Sequence, residues 1–254
     1  MGRVVPCILV GLWAVIACGA PRASKVPTLG PSSSVDGLVT SPTPVGAPGL
    51  RYVALGDSYT IGTSIRIEER WPNQLVRVLG PAQPTLYLVA NLGVNGYTAR
   101  DVIEVELPQL DALRPEFVTL LIGVNDVVQG VPKDTYRRSV GSILDDLMAR
   151  VGPDRILIVT TPDYTVTPAG ADYGDTAQQA AGIRTNNEII SALAGARGIA
   201  VIDIHDISVR AATDRSLVAP DGLHPSSEQY TLWVERIGPA VRALLDLPGS
   251  SSKP

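Results

Sequence analysis

Ser58 stands in the stretch YVALGDSYTIG, where a run of apolar residues changes abruptly into small, polar and glycine residues. A serine hydroxyl is a poor nucleophile until a general base takes its proton, and histidine is the side chain suited to that near neutral pH. The chain has only two histidines, His205 and His224. Asp221 precedes His224 by three residues in DGLHP, a spacing that lets the carboxylate reach Nδ1 of the ring and fix its tautomer. These residue types predict nucleophilic catalysis by Ser58 with His224 as its base.

Acyl transfer by such a serine also requires hydrogen-bond donors aimed at the oxyanion. The backbone N–H of Ser58, at the start of a predicted helix and so at a positive dipole end, is one candidate. The backbone N–H of Gly96 in NLGVNG and the side-chain amide of Asn125 in GVND are two more. We therefore expect an oxyanion hole formed by Ser58, Gly96 and Asn125.

Each motif also has a structural interpretation when it is taken alone. GDS is ordinary turn chemistry, GVND could be a strand ending in a turn, and DGLHP could be a loop before a helix. Gly96 could be present only because its turn needs a positive φ. The joint occurrence of all four motifs, in order and after predicted strands, favours catalysis.

Five other residues near these motifs have a candidate role. His205 lies between two aspartates in DIHDIS, and a metal site is conceivable there, but we expect a hydrogen-bonded structural residue that the chemistry does not need. We predict no metal and no cofactor. Four aromatic residues could line an acyl or aryl pocket, although packing in the core or at the rim explains them equally well: Tyr59, Tyr97, Tyr164 and Trp71.

The elements that must position these residues alternate between strand and helix. Short apolar runs bounded by turn residues predict five buried strands at 52–55, 86–90, 117–122, 156–160 and 199–202. Helical patterns lie between them, one of them interrupted by Pro108. This alternation predicts an α/β fold, a three-layer α/β/α sandwich with a parallel sheet of about five strands in flavodoxin-like order. The ligand in such folds lies beyond the carboxyl ends of the strands, where the motifs fall.

Composition restricts the class of protein further. The 254 residues carry a net charge of −4, and 45% of them are hydrophobic, which suits one globular domain at residues 51–247 and argues against a nucleic-acid surface. The only cysteines, Cys7 and Cys18, lie in the N-terminal leader. The body therefore offers no internal disulfide, thiolate nucleophile or zinc-thiolate site.

The two ends of the chain predict export. Residues 1–17 are typical of a signal peptide, and VIAC, ending at Cys18, is similar to a bacterial lipobox whose cysteine is acylated. Residues 18–50 are rich in Pro, Gly, Ser and Thr and predict a disordered tether, as residues 248–254 predict a disordered tail. We expect a lipoprotein anchored on the cell-envelope side by Cys18. The alternative is an ordinary signal peptide and a secreted protein.

The four motifs resemble those of the SGNH subgroup of the GDSL hydrolases. GDSYT matches the serine block, Gly96 in GVNGYT the glycine block, Asn125 in GVND the asparagine block, and DGLHP the block with Asp221 and His224. The resemblance covers roughly residues 51–245 and implies a flavodoxin-like sandwich and a metal-independent serine esterase, lipase or thioesterase. It is closest to a branch of esterases and arylesterases acting on acyl and aryl esters.

The sequence thus predicts a serine-dependent hydrolase of acyl, aryl or acetyl esters that works through an acyl-enzyme. An acyltransferase or O-acetyl esterase acting on envelope polysaccharide is the alternative, and a non-catalytic surface-tethered binding module is a third possibility. The expected partner is a small-molecule, lipid or polysaccharide ester, and a monomer is expected.

Overall fold

The computed structural model of the chain describes residues 49–80 and 85–246. The predicted signal peptide, the acylation site at Cys18 and the tail at 248–254 lie outside the described residues. The tether was expected to extend to residue 50, but Gly49 and Leu50 already belong to the first strand because they pair with Thr85 and Leu86. Within the described ranges, no helix combines the length and the apolar composition needed to cross a membrane.

Five parallel strands form one sheet in the order β2-β1-β3-β4-β5. The strands are β1 (Gly49–Gly56), β2 (Thr85–Asn91), β3 (Phe117–Leu121), β4 (Ile156–Val159) and β5 (Ala200–Ile202). This is the flavodoxin-like order. The prediction of a five-stranded parallel α/β sandwich is therefore confirmed, with each strand within a few residues of its predicted position.

Helices connect the strands, as parallel pairing requires. The α-helices of the described residues are α1 (Ser58–Ile61), α2 (Trp71–Leu79), α3 (Ala99–Asp101), α4 (Leu110–Leu113), α5 (Val124–Val128), α6 (Lys133–Val151), α7 (Thr176–Gly195), α8 (His205–Ser208) and α9 (Ser227–Leu244). Between α3 and α4 the chain forms a wide π turn, Val102–Glu106, and then a tight 3-10 turn that contains Pro108. The predicted helix is interrupted there because proline has no N–H to donate.

The sheet separates two apolar layers. Tyr52 and Ala54 of β1 point into one layer, and Val53 and Leu55 point into the other, as the alternation of side chains along a strand requires. The first layer is closed by α2 and α9, and the second by α6 and most of α7. Because the strands are parallel, their carboxyl ends open at one edge, and the loops with GDS, NLGVNG and GVND follow β1, β2 and β3 at that edge.

Candidate active site

Ser58 lies at the first position of α1, directly after the sharp turn that ends β1. Gly56 has φ +147, and a Cβ there would lie 2.2 Å from the carbonyl oxygen of Leu121 and 2.4 Å from Thr60 Oγ1. Only glycine fits this turn. Asp57 then caps α1 by accepting a hydrogen bond from the backbone N–H of Tyr59 at 2.9 Å. The apolar strand therefore delivers Ser58, 6% exposed, to the rim of the sheet.

Asp221 and His224 form a hydrogen-bonded pair in the loop before α9. His224 Nδ1 lies 2.7 Å from Asp221 Oδ2, while Asp221 Oδ1 accepts the backbone N–H groups of Leu223 and His224 at 2.9 and 3.0 Å. Burial pushes the pKa of Asp221 upward, but the hydrogen bonds from His224, Ser64 and the two backbone groups outweigh it and hold that pKa well below its usual range. The carboxylate is thus charged at neutral pH. It fixes the proton on Nδ1 and leaves Nε2 able to accept one.

The turn that carries the predicted nucleophile Ser58, residues 56–59 (the nucleophile turn), lies beside the loop that carries Asp221 and His224 (the histidine loop). The ring centroids of Tyr59 and His224 are 5.2 Å apart, and Tyr59 is the residue next to Ser58. Among the described residues no hydrogen bond joins Ser58 Oγ to His224 Nε2. Hydrogen bonds of this kind often tighten only when substrate is bound.

The loop after β2 packs on the nucleophile turn and carries Gly96. A Cβ at Gly93 would lie 2.7 Å from the carbonyl oxygen of Asp57, which shows how closely the two backbones approach. Gly96 has φ +84 and is exposed, with open space where a Cβ would stand. Its carbonyl accepts a hydrogen bond from Gln129 at 3.1 Å.

Asn125, the second residue of α5, is joined to the same loop. Its Nδ2 donates to the carbonyl of Tyr97 at 2.9 Å. Since an amide nitrogen carries two hydrogens, one remains for another acceptor. The structure therefore brings the loops of Gly96 and Asn125 together, and their role as oxyanion donors stays a prediction.

Three buried carboxyl groups lie near the nucleophile turn. Glu106 Oε2 accepts the backbone N–H of Gly56 at 3.0 Å, and Asp126 Oδ2 accepts that of Ala99 at 3.0 Å. Burial raises the pKa of Asp57 to about 8 and that of Asp126 to about 6, and it raises the pKa of Glu106 well above its usual range. Asp57 and Asp126 stand inside the GDS and GVND motifs, whereas Glu106 lies in a pattern typical of an ordinary helical glutamate, so no motif indicated it.

The four aromatic residues that could line a pocket differ in their burial and in their contacts. Trp71 is 0% exposed and Tyr164 is 2% exposed, and both belong to the core. This agrees with the packing role that the sequence left open for both, since Trp71 packs against α9 and Tyr164 against α7, and their substrate-lining role stays a prediction. Tyr59, 3% exposed, packs against His224. Tyr97 is half-buried beside Asn125 and stays a candidate.

His205 does not belong to the Asp221–His224 pair and lies at the start of α8. Its Nε2 is 3.7 Å from Asp163 Oδ2, and its backbone N–H donates to Asp203 at 2.9 Å. Nowhere in residues 49–80 and 85–246 do three His, Cys, Asp or Glu side chains come together as a metal ion would require. A residue that the sequence did not indicate, Ser64, does contact the site, through Asp221.

The sequence matches a family model described as the GDSL-like lipase/acylhydrolase family over residues 54–232. The match spans most of the chain, so the chain belongs to this family. It is a carboxylic ester hydrolase, which confirms the resemblance that its motifs suggested. No curated protein is similar enough in sequence to be matched to it.

The chain has the same fold as several solved structures, among them the following three. LAE5, an alpha/beta hydrolase enzyme from the metagenome of Lake Arreo in Spain, is 19% identical over 78% of this chain and 98% of its own, with a TM-score of 0.61. Axe2, an acetylxylan esterase from Geobacillus stearothermophilus, is 18% identical over 82% of this chain and 100% of its own, with a TM-score of 0.60. A G-D-S-L family protein from Desulfitobacterium hafniense DCB-2 is 22% identical over 76% of this chain and 99% of its own, with a TM-score of 0.61.

Proposed function

We propose that the protein hydrolyses carboxylic esters through an acyl-enzyme formed on Ser58, with His224 as the general base and Asp221 as the residue that orients it. The observation that carries the proposal is the 2.7 Å hydrogen bond from His224 Nδ1 to Asp221, in a loop whose histidine packs against Tyr59 of the nucleophile turn. This arrangement leaves Nε2 as the basic nitrogen on the side of the ring away from the carboxylate.

In the first half of the reaction, Ser58 Oγ attacks the carbonyl carbon of the ester while its proton passes to His224 Nε2. The tetrahedral intermediate collapses, the alcohol leaves with the proton from Nε2, and the acyl group stays on Oγ. Water then attacks the acyl carbon as Nε2 takes its proton. Collapse of the second intermediate releases the acid, and the proton returns to Ser58 Oγ.

Charge develops on the carbonyl oxygen in both steps, and three donors are proposed to stabilise it. These are the backbone N–H groups of Ser58 and Gly96 and the free amide hydrogen of Asn125. The hydrogen bond from Asn125 to the carbonyl of Tyr97 supports this role, because it fixes the amide before substrate arrives.

We propose that the acyl group of the ester substrate is short. Two aromatic side chains that could line an acyl pocket, Trp71 and Tyr164, are at most 2% exposed and belong to the core, which leaves little of their apolar surface for a long acyl chain. Axe2, with the same fold, is an acetylxylan esterase, and that makes an acetylated polysaccharide a sensible test substrate beside small esters.

The test of this function is Ser58→Ala with p-nitrophenyl acetate as substrate. The variant should lose turnover while keeping the unfolding temperature of the unchanged protein, and Ser142→Ala, at an exposed serine of α6, should keep both. An organophosphonate probe should label the unchanged protein and Ser142→Ala but not Ser58→Ala. Undiminished turnover by Ser58→Ala would refute the assignment.

A panel of p-nitrophenyl esters, acetylated xylan and an added alcohol tests which ester is the substrate and which molecule accepts the acyl group. Across p-nitrophenyl esters from acetate to palmitate, kcat/KM should be highest for acetate or butyrate, and a maximum at palmitate would contradict the short-acyl proposal. Acetylated xylan should release acetate if polysaccharide esters are substrates. Formation of a new ester with an added alcohol, in preference to free acid, would show acyl transfer rather than hydrolysis.

A further inference from the structure

Ser64 contacts the carboxylate that orients the histidine. Its Oγ lies 2.6 Å from Asp221 Oδ2, the same oxygen that lies 2.7 Å from His224 Nδ1. The two residues are 157 positions apart in the chain. Because an ionised carboxylate has no proton to give, the hydroxyl of Ser64 is the donor in this hydrogen bond.

The backbone of Ser64 is strained. Its φ is +66, and only two other non-glycine residues in the described ranges, Arg114 and Asp246, have a positive φ. A left-handed conformation is unfavourable for serine and persists where the surroundings impose it. Ser64 is exposed, so packing in a core does not impose it. The hydrogen bond to Asp221 is a contact that this conformation makes possible.

The segment that carries Ser64 is attached to the nucleophile turn. The carbonyl oxygen of Ser58 accepts the backbone N–H groups of Gly62 at 3.0 Å and Thr63 at 3.1 Å. Thr63 Oγ1 also lies 2.5 Å from Asn95 Oδ1, in the loop that carries Gly96. Ser64 therefore directly follows a turn whose backbone is hydrogen-bonded to Ser58, the proposed nucleophile.

We propose that Ser64 is a positioning residue that sets the place of Asp221, and through it of His224, relative to Ser58. Hydrogen bonds and the backbone connect Ser58 to His224 without a break. The carbonyl of Ser58 accepts the backbone N–H of Thr63, and Ser64 is the next residue along the chain. The hydroxyl of Ser64 then donates to Asp221 Oδ2, which is also bonded to His224 Nδ1. Without the hydroxyl, every remaining hydrogen bond to the Asp221 carboxylate in the described residues comes from its own loop. The inference rests on the proposed function.

Two substitutions separate the hydroxyl from the backbone conformation. Glycine and asparagine both tolerate a positive φ, but only asparagine keeps a side-chain N–H that can donate to Asp221. In Ser64→Gly, kcat for p-nitrophenyl acetate should fall about tenfold, as expected for the loss of one positioning hydrogen bond. The KM should stay near that of the unchanged protein, and the unfolding temperature should stay the same or rise. Ser64→Asn should recover most of the lost kcat.

The outcomes are distinguishable. A Ser64→Gly variant with unchanged kcat would overturn the inference, as would a folded Ser64→Asn variant as slow as Ser64→Gly. A loss of kcat that matches a loss of active sites, counted by organophosphonate labelling, would also overturn it, because it would indicate a role in folding alone. If Ser58→Ala is inactive in the same assay, these results concern Ser64 only. If Ser58→Ala is active, the proposed function itself fails.

Discussion

Glu106 accepts a hydrogen bond from the backbone N–H of Gly56 at 3.0 Å across 50 positions of sequence. Glu106 ends the π turn between α3 and α4, and it is fully buried. Gly56 is the residue at which β1 bends toward Ser58. A carboxyl group from the broken helix therefore fixes the point where the strand enters the nucleophile turn. π turns of this kind are frequent at functional sites.

Two substitutions at Glu106 distinguish the role of its hydrogen bond from the role of its ionisable carboxyl group. Glu106→Gln keeps a carbonyl oxygen for the N–H of Gly56, and we expect near-normal stability and turnover at neutral pH. Glu106→Leu leaves that buried N–H without an acceptor, which should lower the free energy of unfolding by about 1–3 kcal/mol. Urea denaturation measures both changes. Equal stability of the two variants would show that the hydrogen bond to Gly56 is unimportant.

The buried Asp57 should make stability fall as pH rises. Burial raises its pKa in the folded protein to about 8, against 3.8 for the free side chain. The folded state therefore holds the proton more tightly, so this contribution to stability is complete below pH 3.8 and is lost as pH rises toward 8. Asp221 acts in the opposite direction, since its lowered pKa gives stability that is lost as pH falls below its unfolded value.

Asp57→Asn isolates this effect because the amide resembles the protonated acid and can still cap α1. From pH 5 to pH 8, the variant should gain up to about 4 kcal/mol of unfolding free energy relative to the unchanged protein. Urea denaturation at the two pH values gives the difference. A difference that does not change with pH would mean that Asp57 titrates alike in the folded and unfolded states.

The sequence predicted the parts of the site that depend on local spacing. Asp221 and His224 meet because three residues of one turn join them, and Ser58 reaches the sheet rim because Gly56 and Asp57 shape its turn. The contacts of Glu106 and Ser64 join residues 50 and 157 positions apart, and no local pattern reveals such pairs. For a related reason the sequence left core packing and pocket lining equally open for Trp71. An aromatic residue beside a motif gives no sign of which face of its helix will be covered by α9.

The two histidines should respond differently to the same substitution. His224→Gln removes the base, and we expect kcat to fall about 10²- to 10⁴-fold, the usual contribution of general base catalysis. His205→Gln should leave kcat unchanged, because that ring lies beside Asp163 and not beside Asp221. Initial rates with p-nitrophenyl acetate measure both variants. A large loss in His205→Gln with little loss in His224→Gln would reverse the assignment of the base.

Asn125 provides the test of the oxyanion donors. Asn125→Ala removes one donor, and we expect kcat to fall about 10²- to 10³-fold. The KM should change little, since the amide acts on charge that exists only in the transition state. Asn125 also donates to the carbonyl of Tyr97, so the unfolding temperature of the variant must be measured beside its rate. Asn73→Ala, at an amide within α2, is the matched control and should keep full activity. If Asn125→Ala is folded and its KM rises while its kcat stays unchanged, then Asn125 binds the ground state of the substrate and is not an oxyanion donor.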